Sequence, residues 1–199
     1  MFVDTAKVFI QAGTGGSGNV SFRHEIYVDK GGPDGGDGGR GGDVVFLATE
    51  SLNTLIDFRY KPELKAQSGQ NGSKQNKRGR SGEPLVVKVP VGTVVKRDGV
   101  VLADMTTDGE RVVVAMGGDG GFGNAHFKSS VRQTPRVAEL GEAGDVFESQ
   151  LELKLLAEAL LEYETLNAEQ VRDLLDHGKM KNPPTPPSSA IVPANQADE

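Results

Sequence analysis

From Gly35 to Asp43 the chain reads Gly-Gly-Asp-Gly-Gly-Arg-Gly-Gly-Asp, so that only every third residue carries a side chain. The tract starts earlier, at Gly31-Gly32-Pro33-Asp34, and Gly117-Gly118-Asp119-Gly120-Gly121-Phe122 keeps the same register. Looser versions occupy residues 13–18, 69–82 and 141–144, and of the 27 glycines all but Gly178 lie before residue 145. Three residues is the repeat of a left-handed polyproline II helix. Two faces of each such helix then lack side chains, so several can pack through backbone contacts and weak Cα–H to carbonyl bonds, with the third residues lining a free edge. Such packing offsets the high conformational entropy that glycine loses on ordering. A flexible linker has the same composition. Against it stand the interleaving of the tracts with strand-like segments and the charged, proline or aromatic third residues. No Gly-X-Y period is sustained, which excludes collagen, and a lone Arg40-Gly41-Gly42 does not make an RGG-type RNA-binding segment.

Between the tracts, short stretches with alternating or β-branched apolar residues recur at 3–10, 43–47, 85–89, 93–95, 100–103, 111–115 and 147–155, each bounded by Gly, Pro, Asp or Asn. These are strand and turn signals. Residues 53–58 supply the one plausible helical turn before residue 150. In the last stretch Phe147, Leu151, Leu153 and Leu155 alternate with Glu148, Gln150, Glu152 and Lys154, a period of two. The period changes at Leu156, where Leu156, Leu160, Leu161 and Tyr163 take helical spacing. A second helix is predicted from an Asn167 N-cap, with Gln170 at capping-box spacing, to His177, where Gly178 suits the left-handed C′ position. Beyond it, Pro183, Pro184, Pro186, Pro187 and Pro193 predict an extended, disordered tail over 179–199.

The formal charge of −6 is unevenly spread. Residues 158–199 hold three basic against eight acidic side chains, so the acidity belongs to the tail. Residues 61–88 run the other way, with Lys61, Lys65, Lys74, Lys77, Arg78, Arg80 and Lys88 against Glu63 and Glu83. An acidic chain therefore hides a basic patch. Three basic clusters flank the glycine tracts: Arg23 with His24 and Lys30, then Lys74, Lys77, Arg78 and Arg80, then Lys128, Arg132 and Arg136. Converging loops would turn them into a footprint for a phosphate backbone, with Tyr27, Phe122 and Phe127 available to stack on unpaired bases. Any one of these charges alone reads better as a solvated surface group.

Catalytic chemistries fail one by one. There is no cysteine, hence no disulfide, thiolate site or cysteine nucleophile. Glycine-rich loops cradle phosphates in nucleotide-binding proteins, but Gly178-Lys179 is followed by Met180 rather than Ser or Thr. Asn76-Lys77-Arg78-Gly79 begins like a guanine-specificity motif and then has glycine where the aspartate belongs. His24-Glu25 lacks a second histidine one turn on, since position 28 is Val28. His126 and His177 have no ligand-spaced partners. We expect no catalytic residue, no metal site and no small-molecule substrate. No apolar run approaches the roughly 20 residues of a membrane span, and a cytoplasmic location is expected.

Phe2-Val3-Asp4, Gly15-Gly16-Ser17-Gly18, Val20-Ser21-Phe22-Arg23, the run from Lys30 through Asp43, Leu55-Ile56-Asp57-Phe58-Arg59, Lys88-Val89-Pro90-Val91-Gly92-Thr93, Gly117-Gly118 and Gly123-Asn124 together resemble the amino-terminal domain of the Obg ribosome-assembly GTPases. The resemblance spans residues 1–157. It implies a mainly β fold, a small β-barrel carrying a projecting bundle of glycine-rich left-handed polyproline II-type helices. It also implies a role in large-subunit maturation, with the loops reaching ribosomal RNA and ribosomal proteins as further partners. His24, Ile26 and Asp29 stand where such proteins usually carry Arg, Lys and Pro, which lowers the charge of the first loop. In full-length members GTP and magnesium are the cofactors, bound by a domain that would begin after Ala157. Here residues 157–180, with Leu160-Leu161-Glu162-Tyr163-Glu164-Thr165-Leu166 at their centre, look instead like the carboxyl-terminal helices of FtsH-type proteases. The sequence is thus read as an Obg-type domain over 1–157, an FtsH-like helical segment over 158–178 and a disordered tail over 179–199. The expected function is a non-enzymatic ribosome-binding module without a GTPase domain. The alternatives are a protein-interaction or regulatory module and a nonfunctional fusion product.

Overall fold

The computed structural model describes residues 5–24, 31–153 and 170. The chain divides into two units, Met1–Leu153 and Lys154–Glu199. Of the second unit only Gln170 is described, and it is helical. The expected period switch at Leu156, the FtsH-like helices over 158–178 and the tail over 179–199 lie outside the described residues.

The first unit is mainly β. Its strands are β1 (Thr5–Gln11), β2 (Val44–Thr49), β3 (Glu63–Lys65), β4 (Leu85–Pro90), β5 (Thr93–Arg97), β6 (Val100–Met105), β7 (Arg111–Ala115) and β8 (Val146–Leu153), with one short helix α1 (Ile56–Tyr60) and a 3-10 turn at Asn124–Phe127. They form a five-stranded sheet ordered β3-β1-β8-β5-β6 and a three-stranded sheet ordered β4-β2-β7. β1 runs parallel to β3 and antiparallel to β8, with Val8 opposite Ser149. β2 is likewise parallel to β4 and antiparallel to β7. The expected barrel is corrected by this pairing. Among the described residues the ladders do not close, and each sheet keeps two edges, β3 and β6 in one, β4 and β7 in the other.

The period of two decides which side chains are buried. Ala6, Val8 and Ile10 of β1, Val44, Phe46 and Ala48 of β2, and Leu151 and Leu153 of β8 all point into the core, joined by Val89, Val94, Val95 and Met105. Leu55 and Phe58 close it from the α1 side, where the helix rests against β1. Each large side chain so buried contributes about 1.5–3 kcal/mol. The β5–β6 hairpin turns at Asp98 (φ 49°) and Gly99 (φ 82°), two left-handed residues as a tight two-residue hairpin requires. Ser149 occupies a core position of β8 at 2% exposure, and its hydroxyl has no hydrogen-bond partner. A buried hydroxyl without a partner costs about 1–3 kcal/mol. Ser149→Ala is therefore expected to raise stability by about 1 kcal/mol, read as a higher denaturation midpoint in urea.

The glycine tracts form a second body of structure that carries neither helix nor ladder. Six segments, 12–19, 34–43, 66–73, 77–82, 116–124 and 139–145, are tied side to side by backbone hydrogen bonds that recur every third residue. Segment 12–19 donates to 139–145 through Ala12, Gly15 and Gly18, which bond the carbonyls of Asp145, Glu142 and Glu139 at 2.8–2.9 Å. One residue further on each time, it donates to 34–43 through Gly13, Gly16 and Asn19, which bond Gly42, Gly39 and Gly36 at 2.8–3.0 Å. Segment 34–43 in turn donates to 66–73 (Gly39 to Gln70, Gly42 to Gln67) and to 116–124 (Gly38 to Gly121, Gly41 to Gly118). Both of these donate back to 12–19, through Gly69 and Gly72 to Thr14 and Ser17, and through Gly118 and Gly121 to Gly13 and Gly16. Threads thus close into rings of three in which each gives to the next. Segments 77–82 and 139–145 complete two further rings at the sides, with Gly79 bonding Asp37 and Glu142 bonding Asp119.

Glycine is obligatory at this spacing. A Cβ on Gly38 would sit 1.8 Å from the Gly16 carbonyl oxygen, and one on Gly41 would sit 1.9 Å from that of Gly13. At Gly32, outside the rings, the nearest atom would be the Lys128 Nζ at 3.8 Å. The third residues do not all line a free edge, as the sequence suggested. Asp43 Oδ1 accepts from the Gly117 N–H and Asp37 Oδ1 from the Gly123 N–H, both at 2.7 Å. Arg40 forms a two-pronged pair with Asp43 (2.9 and 3.1 Å) and reaches Asp119 at 3.3 Å. The hydrogen bond that Arg40 donates to Asp43, then the charge of that carboxylate, raises the Arg40 pKa above its ordinary value. Two of every three residues make the contact between threads, and several of the remaining third brace it.

Candidate nucleic-acid interface

Every thread is anchored to a strand at the same end. Residue 12 follows β1, 43 precedes β2, 66 follows β3, 116 follows β7 and 145 precedes β8, while 82 leads into β4 after a short connection. The described parts of the connections, residues 20–24, 31–33, 74–76 and 125–138, therefore lie together at the end remote from the sheets. Seven of the basic residues singled out from sequence, Arg23, Lys74, Lys77, Arg78, Lys128, Arg132 and Arg136, fall in or beside these connections, and all seven are exposed.

The remote end is held together by buried polar groups. Asn124 is wholly buried. Its Oδ1 accepts from the Gly35 N–H (2.8 Å) and the Ser21 N–H (3.4 Å), and its Nδ2 donates to the carbonyls of Ser21 (3.0 Å) and Pro135 (3.1 Å). Its own N–H bonds the Asn19 carbonyl. One residue thereby ties two of the connections to threads 12–19 and 34–43. Asp34, also buried, accepts from the Ser21 hydroxyl (2.5 Å) and from the Gln75 N–H (3.2 Å), while its carbonyl takes the Asn76 N–H (2.7 Å). Gln75 (φ 61°) and Asn76 (φ 54°) are both left-handed, so the chain reverses there in a tight turn. Asp34 holds that turn, from which Lys74, Lys77 and Arg78 project into solvent.

Two cavities open at this end. One of 340 Å³ is lined by Arg23, His24, Asp34, Gln75 and Asn76, so that the first cluster shares it with the turn that carries the second. The other, of 230 Å³, has Asp37, Asn76, Arg78 and His126 in its wall, so that Arg78 of the second cluster shares it with the 3-10 turn that precedes the third. Lys128 lies beside Gly32. Residues 129–132 form a turn in which the Arg132 N–H bonds the Ser129 hydroxyl and the Ser129 N–H bonds the Arg132 carbonyl, both at 3.0 Å.

Arg80 is placed differently from its neighbours. It lies one triplet inside the bundle and pairs with Glu83 at 2.9 Å. Lys30 and Tyr27 lie outside the described residues. Phe122 is half-exposed and its ring stacks on His126, with centroids 4.1 Å apart and planes at 6°. His126 also meets the edge of Phe127. Three groups that matter here were given no role in the sequence: the brace Asp34, the hub Asn124, and Val131, 95% exposed in a basic loop. Valine beside Ser129-Ser130 and Arg132 carries no pattern that marks it, and the roles of Asn124 and Asp34 exist only once three distant segments have met. Among the described residues no group of His, Asp or Glu is placed to hold a metal ion. No described helix is long and apolar enough to cross a membrane.

Comparison with known proteins agrees with this architecture. The family model described as GTP1/OBG matches residues 3–155. A GTPase Obg of Caldicellulosiruptor saccharolyticus is 56% identical over 160 residues, covering 79% of this chain and 38% of that protein. One from Persephonella marina is 55% identical over 159 residues, covering 79% and 47%. One from Ruminiclostridium cellulolyticum is 47% identical over 184 residues, covering 91% and 43%, so that its alignment reaches beyond residue 157. The chain spans less than half the length of these curated relatives. With the family model covering about three quarters of its residues, all of the glycine threads included, the chain belongs to the GTP1/OBG family.

Proposed function

We propose that residues 1–157 are a ribosome-binding module whose remote loops contact the RNA of the large subunit. The observation that carries this reading is the convergence of three basic clusters, far apart in sequence, on the one end of the bundle that is not anchored to the sheets. Opposed by few acidic groups there, their charges add to a positive field of the kind that draws in a phosphate backbone. The glycine threads act as polyproline II-type helices. At about 3.1 Å per residue, the run from 34 to 43 holds the tip roughly 25–30 Å away from the sheets. Mutual backbone bonding makes that arm stiff, so it presents the charges without the entropy loss of ordering a flexible loop.

No residue set here fits a nucleoside triphosphate with magnesium, since Gly178-Lys179 lacks the following hydroxyl and the upstream glycine of a phosphate loop. Hydrolysis of GTP by these 199 residues alone is assigned no role, and the site of action is the cytoplasm.

Sedimentation with purified large subunits tests the reading. Binding weakens with salt at a slope of about 0.7–0.9 per phosphate contact. Reversing Lys77 and Arg78 to Glu is expected to lower affinity about 10- to 100-fold and to flatten that slope by roughly one to two. Arg80→Glu alone is expected to change affinity less than about threefold, because that side chain already pairs with Glu83. Wild-type affinity in the double reversal would end this assignment.

A further inference from the structure

The 230 Å³ cavity that Arg78 shares with His126 has a composition that a general phosphate site does not need. A carboxylate, Asp37, lines it together with Arg78 and His126, and the His126 ring is stacked on Phe122. The stacked pair, with centroids 4.1 Å apart, holds the imidazole in one plane. A ring bound next to it therefore meets a preset surface, and stacking on such an aromatic platform is a main source of affinity for unpaired bases. The volume lies below the roughly 300–1,000 Å³ of sites for drug-sized ligands, which suits one ring system rather than a whole cofactor.

Asp37 decides which ring. Its Oδ1 already accepts from the Gly123 N–H at 2.7 Å, which fixes the carboxylate, and an ionised carboxylate has about four acceptor positions. A ligand edge facing it must offer donors. Guanine presents two adjacent ones, N1–H and the 2-amino group. Adenine and cytosine each place a ring acceptor beside a single amino donor, and uracil flanks its one donor with two carbonyls. Arg78, which lines the same cavity, supplies the cation for the phosphate or for O6 and N7 of the same base.

Resting on the RNA-binding reading above, we propose that this cavity takes one unpaired guanine of the bound RNA, stacked on His126 with its donor edge on Asp37. The site reads a base, whereas the surrounding lysines and arginines read only charge.

Nuclear magnetic resonance of the full 199-residue chain tests this, with guanosine, inosine and adenosine 5′-monophosphates and inorganic phosphate as probes. Guanosine monophosphate is expected to shift the Gly123 amide and the rings of Phe122 and His126, and to bind roughly tenfold more tightly than the adenosine compound. The inosine compound, lacking the 2-amino donor, is expected to fall between them. Asp37→Asn keeps an oxygen for Gly123 and is expected to erase the preference while leaving the amide spectrum folded. Equal shifts from all four probes, or shifts from guanosine monophosphate elsewhere, overturn the site. Should subunits still sediment with the wild-type chain while no base preference is found, the guanine site falls and the ribosome-binding reading stands. Base preference without subunit binding would keep the guanine site and remove the ribosome from its partners.

Discussion

Gly38→Ala is expected to destabilise the first unit by at least about 3 kcal/mol, a large share of the roughly 5–15 kcal/mol that holds a domain of ordinary stability. The added Cβ would overlap the Gly16 carbonyl oxygen at 1.8 Å and its carbon at 2.3 Å, so threads 12–19 and 34–43 must separate. Separation breaks the bonds from Gly13, Gly16 and Asn19 to Gly42, Gly39 and Gly36. No side chain can swing away, because the obstacle is backbone. Gly32→Ala is the matched control: its Cβ meets only the end of a flexible lysine at 3.8 Å, and its effect is expected to stay within about 0.5 kcal/mol. Denaturant titration of the two variants checks both values. Similar midpoints would show that the threads have room to spare.

Asn124→Ala is expected to cost about 2–5 kcal/mol. Removal of the amide leaves the Gly35 N–H and the Pro135 carbonyl buried without their partners, and each such group costs about 1–3 kcal/mol. Ser21 suffers less, since its carbonyl keeps the bond from the Asp34 N–H. Asn124→Asp, nearly the same shape, is expected to be worse than alanine at neutral pH. It sets an oxygen against the two carbonyls that Nδ2 now serves and buries a charge with no cation opposite. Thermal denaturation ranks the two. An aspartate variant as stable as the parent would mean that water reaches this site. Because Asn124 joins the loops that carry Arg23 and Lys128 to the bundle, both variants are also expected to weaken subunit binding in proportion to their loss of order.

The triplets and the strands were legible in the sequence for one reason: both are periodic, and a period of two or three survives in a single chain without knowledge of its neighbours. Residues 85–89, 93–95, 100–103 and 111–115 fall within β4 to β7. What has no period was invisible. β3 is three residues long with Glu63 and Lys65 at its ends, and it is a strand only because β1 lies beside it. The 3-10 turn at Asn124–Phe127 was missed for the same reason. The barrel was expected by resemblance, and closure depends on which edges meet, a matter of long-range pairing such as β1 with β8. The basic residues announced themselves by type. Their convergence rests on all six threads having the same register, and so does the exception of Arg80, one triplet out of place.

A bundle bonded through peptide groups, with hardly any apolar surface inside it, has its own calorimetric consequence. The positive heat capacity of unfolding comes from exposed hydrocarbon and is reduced by exposed polar groups. Melting the threads therefore adds almost nothing to that quantity, which is left to Phe46, Ile10, Leu55 and their neighbours. The arm neither weakens as water cools nor gains from the conditions that strengthen apolar burial. In the cold it is the sheets that loosen first, and the charged tip keeps its form on a base that is giving way.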